Sequence, residues 1–284
     1  MATAGGVSTN GLRCRGMSSL ALCWLLAFGL VVLSPSLVFE GGWAGEEPAQ
    51  SPEPPPVGWQ VLLAPTFVGQ TINHSPLDDP AGAVALTFDD GPVPGMTDRI
   101  LDVLKAKQAP ATFFVIGKLA RSHPQLLRRI AAEGHLIGNH TWGHPSHRLT
   151  YEAYLNELDS TCGAVQAQTG VVTVLFRPPN GYRPQALTAA AAARGYALIT
   201  WSVDPRDWSR TSSGTIVRRV LGNARPGAIV LLHDGARYRM TTVQAVPLII
   251  DGLRGKGLRI VSLAELLGLP TAAVPIPPEE SKKG

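Results

Sequence analysis

Between residues 83 and 261 the chain alternates short apolar runs with segments of helical spacing, and this alternation limits the possible folds more than any other feature. The apolar runs are Ala83–Phe88, Ala111–Ile116, His135–Asn139, Val172–Phe176, Ala197–Val203, Ala228–His233 and Leu258–Val261. Between them, Thr97–Lys107 carries Ile100, Leu101 and Leu104 on one side. The segment 123–133 opens with Pro124 at a first helical position, where a missing N–H costs nothing. Thr150 can cap a helix in which Tyr151, Tyr154, Leu155, Leu158, Cys162 and Val165 recur with a 3.6-residue period. Further helices are expected at 185–194, 213–223 and 241–254. Strands alternating with helices imply a parallel sheet with right-handed crossovers. About seven such units in this length predict an α/β fold, a small distorted (β/α)7-type barrel with parallel strands. An open doubly wound sheet is the other candidate, but no G-x-G-x-x-G follows the first strand, which argues against a dinucleotide site.

The flanks differ in kind. Leu20–Leu33 is an unbroken apolar run behind Arg13 and Arg15, the pattern of an export signal. Leu20–Phe39 nearly reaches the roughly 20 apolar residues that span a bilayer. Residues 1–44 are therefore expected to be a signal peptide or a membrane anchor, with the bulk of the chain extracytoplasmic, either secreted or held at the outer face of the membrane. Residues 45–59 are expected to be a Pro-rich linker, 60–268 the folded domain, and 269–284 a disordered tail. An apolar content of 45% suffices for a core, and 16% charged residues exclude wholesale disorder. The net charge of +4 comes without a dense Lys/Arg block, so no nucleic-acid partner is expected. The three cysteines include no CxxC and cannot make a disulfide framework.

Polar residues gather where the expected strands stop, which is the face on which a parallel barrel builds its site. Asp89-Asp90-Gly91-Pro92 ends the first, and His140-Thr141-Trp142-Gly143-His144 the third. Arg177-Pro178-Pro179-Asn180-Gly181-Tyr182 ends the fourth, Asp204-Pro205-Arg206-Asp207-Trp208 the fifth, and Leu231-Leu232-His233 the sixth. Two adjacent carboxylates on a turn can be only a turn. They can also divide labour, one ligating a cation and the other acting as a base. His140 and His144 lie four apart, so a helical turn would put both rings in reach of one cation. With a carboxylate from another strand they would form an Asp-His-His set with positions left open for water and substrate. His233 is a candidate general acid, since its ordinary pKa lies near neutral pH. The planar fork of Arg177 suits a carboxylate, with Asp89 the natural target. His123 and His135 read as structural, and His74 and His147 as exposed.

Taken together, TFDDGP at 87–92, HTWGH at 140–144, RPPNGY at 177–182, DPRDW at 204–208 and LLH at 231–233 resemble the motifs of the polysaccharide deacetylases, carbohydrate esterase family 4. That family includes the chitooligosaccharide and peptidoglycan deacetylases. The resemblance spans about 81–268 and implies hydrolysis of acetyl groups on sugars. It implies that Asp90, His140 and His144 hold a divalent metal, usually zinc, and that Asp89 is the base that deprotonates the attacking water. The backbone N–H of Tyr182 would stabilise the oxyanion, and His233 would protonate the leaving amine. Arg177 would orient Asp89, Asp204 would tune the Arg177/His233 pair, and Thr141 would brace the metal loop. Trp208 and Leu231 would wall the acetyl pocket, with Pro178 and Gly181 also at the substrate. The expected substrate is an N-acetylated cell-envelope polysaccharide, peptidoglycan before a chitin-like oligomer. An O-acetyl esterase acting on xylan or another glycan, or an inactive glycan-binding module, are the alternatives. Pro205 stiffens the fourth motif and leaves the division of roles between Asp204 and Asp207 open. A monomer is expected.

Overall fold

In a computed structural model of the chain, residues 56–77, 81–235 and 240–279 are described. Ten strands and eight helices run in the order β1 (Val57–Val61), β2 (Thr71–Ile72), β3 (Ala83–Asp89), α1 (Thr97–Ala106), β4 (Thr112–Val115), α2 (Gly117–Ser122), α3 (Pro124–Ala132), β5 (Leu136–Asn139), α4 (Tyr151–Thr169), β6 (Leu175–Phe176), α5 (Gln185–Ala193), β7 (Ala197–Ile199), α6 (Ser213–Asn223), β8 (Ile229–His233), α7 (Met240–Gly255), β9 (Arg259–Val261), α8 (Leu263–Leu266) and β10 (Thr271–Pro275). The main sheet has the order β2-β7-β6-β5-β4-β3-β8, with β9 also on β3, and every pairing is parallel. Beyond β7 the chain returns to the sheet. Val203 bridges Val230 of β8, and the Leu231 N–H donates to the Val203 carbonyl at 2.9 Å. This closes the ring, so the fold is the distorted parallel barrel and not the open doubly wound sheet.

The central strand β3 is buried at every position, as a strand covered on both faces must be. Its side chains alternate. Val84, Leu86 and Phe88 pack outward in one core cluster with Ile100, Leu101 and Leu104 of α1 and Val246, Ile249 and Ile250 of α7. Ala83 and Ala85 face a second cluster with Phe114, Leu175, Ala197 and Ile229. The two-residue period then carries Thr87 and Asp89 onto that same inner face. The barrel interior thus ends, at the C-terminal rim of β3, in a carboxylate.

The expected helices at 97–107, 123–133, 185–194, 213–223 and 241–254 appear with ends shifted by a residue or so. Thr150 caps α4, its hydroxyl accepting the Ala153 N–H at 3.2 Å. α2 has no counterpart in the sequence reading. It is six residues long and starts at Gly117, where a Cβ would lie 2.5 Å from Thr161 Oγ1 and from the Trp142 ring, so only glycine lets it press against α4.

The ends of the domain correct two expectations. β1 and β10 pair antiparallel, Val57 opposite Pro275 and Val61 opposite Thr271. The linker expected over 45–59 therefore gives way to strand at Val57, and the tail expected to be disordered from 269 is ordered through β10. Prolines flank both segments and their side chains are only half-buried, so neither shows a strand signature by itself. Each is held by the other and by the domain. Gln60 exchanges two hydrogen bonds of 2.7 Å with the backbone of Val172, and Arg128 of α3 donates to the carbonyls of Gln168 and Pro277. The leader expected at 1–44 lies outside the described residues, and among those described no helix is long and apolar enough to cross a membrane.

Candidate active site

Strand register brings the chemistry together. On β3 and β8, Asp89 and His233 are direct partners. On β5 and β6, Asn139 pairs with Phe176, so the next residues, His140 and Arg177, leave the rim side by side. Asp90, Thr141, His144, Asn180 and Arg206 all have positive φ, between 54° and 76°. Such backbone is disfavoured for non-glycine residues, and it clusters here at the loops of one rim.

Asp90 Oδ1 lies 3.4 Å from His140 Nε2 and 3.4 Å from His144 Nε2. These three donor atoms fall within 4.8 Å of one another. The edge of a tetrahedron is about 1.6 times its centre-to-corner distance, so ligands at about 2.0–2.1 Å from a cation stand roughly 3.3–3.4 Å apart. The donor set fits a divalent cation with positions left for water and substrate. His140 Nδ1 is 2.7 Å from the Arg177 carbonyl. A carbonyl only accepts, so Nδ1 carries the proton and Nε2 turns its lone pair toward Asp90. Burial alone would lower the His140 pKa, but the Asp89 and Asp90 carboxylates raise it. Burial pushes Asp90 up, yet the hydrogen bond and charge of His140, with His233 and His144, hold it well below the usual carboxylate range. The pocket thus concentrates negative charge that favours a cation.

The two histidines do not share a helical turn. They sit on a loop in which Thr141 and His144 are left-handed, because Asn139 and Glu157 hold the backbone. Asn139 Oδ1 accepts the Thr141 N–H at 2.9 Å, Glu157 Oε2 accepts the Gly143 N–H at 2.8 Å, and Thr141 Oγ1 accepts the His144 N–H at 3.0 Å. Thr141 braces the loop.

Asp89 Oδ1 accepts from Arg177 Nη1 at 2.7 Å. Arg177 is completely buried, and its fork is used up inside the barrel: Nη1 also reaches Thr87 Oγ1, Nε the Ile199 carbonyl and Nη2 the Thr200 carbonyl. Burial lowers its pKa and Asp89 counters this. One carboxylate oxygen of Asp89 is thus fixed by Arg177, while Oδ2 lies 3.8 Å from His140 Nε2, beside the cation position.

His233 is held by Asp207 and not by Asp204. Asp207 Oδ1 takes the His233 Nδ1 proton at 2.7 Å, and Oδ2 accepts the His233 N–H at 2.9 Å and the Thr242 hydroxyl at 2.9 Å. Burial would lower the His233 pKa, but this pairing, with Asp89 and Asp90 beyond it, raises it. Asp204 accepts instead from the Arg206 N–H at 2.7 Å and faces Trp208 Nε1 at 3.4 Å. The turn explains the exchange: Pro205 and the left-handed Arg206 reverse the chain and send the second aspartate inward.

A cleft of about 460 Å³ opens over these groups, walled by Asn180, Trp201, Asp204, Trp208 and Leu231. Trp208 and Leu231 both line this cleft. Tyr182 does not line it: the ring is exposed, the phenol accepts from Arg148 Nε at 2.7 Å, and the backbone N–H closes a tight turn onto the Pro179 carbonyl at 3.0 Å. The Asn180 N–H donates to no group among the described residues, and it is Asn180 that faces the cleft. The backbone N–H without a partner at the cleft is thus that of Asn180, two residues before Tyr182. Pro178 is buried behind the loop, and Gly181, at φ 67°, is needed because a Cβ there would lie 3.0 Å from the Trp201 ring. Trp142 packs under the Arg121 guanidinium away from the cleft, and His147 is exposed. Asp234 and Thr97 form a buried pair behind the first motif, hydroxyl to carboxyl at 2.6 Å, pressed so closely on Gly91 that a Cβ there would lie 2.0 Å from the carboxyl. No sequence pattern singles that pair out.

The family model for polysaccharide deacetylase matches residues 77–199. The chain is 41% identical over 199 residues to a chitooligosaccharide deacetylase of Sinorhizobium fredii, covering 65% of this chain and 92% of that one. The chain belongs to the polysaccharide deacetylase family. It is also 42% identical over 187 residues to a peptidoglycan-N-acetylglucosamine deacetylase of Bacillus cereus, covering 65% of this chain and 87% of the relative. A solved peptidoglycan N-acetylglucosamine deacetylase, in complex with an N-hydroxybenzamide, superposes with a TM-score of 0.67 at 35% identity, covering 71% of this chain and 94% of the other. Polysaccharide deacetylases of this fold are metal-dependent, and Asp90, His140 and His144 are the residues here that can hold the ion.

Proposed function

We propose that the protein is a hydrolase that removes N-acetyl groups from amino sugars of a cell-envelope polysaccharide, peptidoglycan before a chitin-like chain. The observation that carries this reading is the register pairing of Asp89 with His233 at the rim that also bears the Asp90, His140 and His144 set. Two imidazoles and one carboxylate at tetrahedral spacing suit zinc, the metal we assign. A zinc ion bound there supplies a Lewis acid for the attacking water and the acetyl carbonyl.

The chain's own groups then divide the proton work. Asp89, pinned through Oδ1 by Arg177, accepts the proton of the attacking water. The Asn180 N–H donates to the oxygen that becomes negative as the carbonyl carbon turns tetrahedral. His233, held through Nδ1 by Asp207, is the acid in its imidazolium form, whose Nε2 proton goes to the sugar nitrogen. Breaking the C–N bond yields acetate and a protonated amine. An amide needs this acid, because an amine anion is a poor leaving group. Leu231 and Trp208 give the acetyl methyl an apolar wall. The N-terminal apolar run supports an extracytoplasmic site of action, where such a polymer lies.

The test is acetate release by the purified protein from peptidoglycan, chitooligosaccharides and acetylated xylan. Release from the first two is expected. Release from xylan alone would replace the reading with an O-acetyl esterase. The presence together of base, cation set and acid speaks against an inactive binding module.

A further inference from the structure

A second groove of about 360 Å³ adjoins the catalytic cleft and shares Asn180 and Trp201 with it. Its far side is built by β2 and the segment that follows, with Thr71 and Asn73 exposed on either side of the buried Ile72. Thr200 ties that edge down, its N–H donating to the Ile72 carbonyl at 2.7 Å. The Trp201 ring lies against the backbone of Gly181 and is half-buried, leaving an aromatic wall between the two hollows. Arg183 reaches the groove from the loop before α5, is exposed, and pairs with no carboxylate among the described residues.

Charge changes sign between the two hollows. The cleft presents Asp89, Asp90 and Asp204, whereas among the described residues no acidic group lines the groove and Arg183 is its one charged lining group. Thr71 and Asn73 offer a hydroxyl and an amide suited to sugar hydroxyls, and an aromatic wall suits a pyranose face. An unpaired guanidinium is the group that recognises a carboxylate through two parallel hydrogen bonds. A neutral glycan would leave that fork with nothing to meet.

We propose that this groove is a subsite for a carboxylate-bearing sugar next to the amino sugar being deacetylated, with Arg183 pairing that carboxylate. The inference deepens the deacetylase reading and rests on it. It assigns the substrate as a glycan that alternates N-acetylated sugars with acidic ones, as peptidoglycan does through its lactyl ethers. The carboxylate has two possible sources, the bare lactyl arm or a peptide stem attached to it.

Three N-acetylated tetrasaccharides of equal length separate these cases: N-acetylated chitotetraose, a peptide-free tetrasaccharide of alternating N-acetylglucosamine and N-acetylmuramic acid, and the same chain with peptide stems. Acetate release is followed for the full chain and for Arg183→Ala and Arg183→Lys. The wild type should favour an acidic tetrasaccharide over chitotetraose about tenfold in kcat/KM, mainly through KM. Arg183→Ala should erase the preference, and Arg183→Lys should restore part of it. A preference for the peptide-free chain assigns the lactyl carboxylate, and one confined to the stemmed chain assigns the peptide. A wild type that favours chitotetraose, or a preference that survives Arg183→Ala, overturns the subsite while leaving the deacetylase reading intact. No acetate from any of the three overturns that reading and the subsite with it.

Discussion

Both oxygens of Asp207 are committed to His233 and Thr242, so Nδ1 of His233 carries a proton in either charge state and Nε2 bears a second one, available to the substrate, only in the imidazolium. Because the pairing raises the His233 pKa, activity that needs the protonated ring is lost as pH rises through that raised value. Asp207→Asn should move the alkaline limb of the kcat/KM profile to lower pH, while Asp204→Asn should leave it in place; identical limbs in wild type and Asp207→Asn would refute the assignment. Asp89→Asn should lower acetate release by about 10²–10⁴-fold with cation content unchanged, measured by metal analysis beside the assay. Asp234 behaves differently. Burial raises its carboxyl to about 7, so the ionised form is favoured only on unfolding, and stability falls as pH climbs from the ordinary value toward 7. In chelated protein, Asp234→Asn should therefore gain melting temperature over wild type progressively between pH 4 and 7, and a constant difference would contradict this. At this scale the sequence showed which residue types carry the chemistry, because carboxylates and imidazoles at strand ends have few structural reasons to gather. It did not show which of two aspartates faces inward, or that Asn180 and not Tyr182 offers its N–H. Both depend on left-handed backbone at Arg206 and Asn180, which a one-dimensional pattern does not encode.

Among the elements, those with strong periodicity were readable and those held only by partners were not. α1, α3, α4 and α6 each bury one stripe, and their spacing reveals it. β3 and β8 are apolar apart from Thr87 and the terminal Asp89 and His233, and could hardly be anything but central strands. β1 and β10 are legible only as a pair, since each satisfies the other's backbone across more than two hundred residues. Their pairing buries Val61 and Ile276 against the domain. Truncation after Leu269 should remove about 2–3 kcal/mol and lower the melting temperature by roughly 5–10 °C, as read by thermal denaturation. A truncated protein that melts with the full chain would show that the ribbon stabilises nothing. β2 escaped notice because two residues are too few to display alternation, yet it builds the wall of the second groove.

For the molecule as a whole, closure of the barrel through Val203 and Val230 sets Asp89, His140, Arg177 and His233 around one rim. The parallel β/α alternation and the face that bears the site follow from the periodicity and the right-handed crossover, and so were legible before any coordinates. The closing contact was not, because it is a single bridge in a segment that reads as the tail of β7. The same closure leaves an acidic centre beside a groove lined by Arg183, which pairs with no carboxylate among the described residues, a whole-molecule feature that net charge conceals. The central claim is that Asp90, His140 and His144 hold one divalent cation on which Asp89 and His233 depend. The most direct test is to strip the purified protein with a chelator, return zinc in stoichiometric steps, and record bound metal and acetate release together. Release should vanish on stripping and return in proportion to zinc up to one ion per chain, with His140→Ala neither binding nor recovering. Full release from protein that metal analysis shows to be cation-free would contradict it.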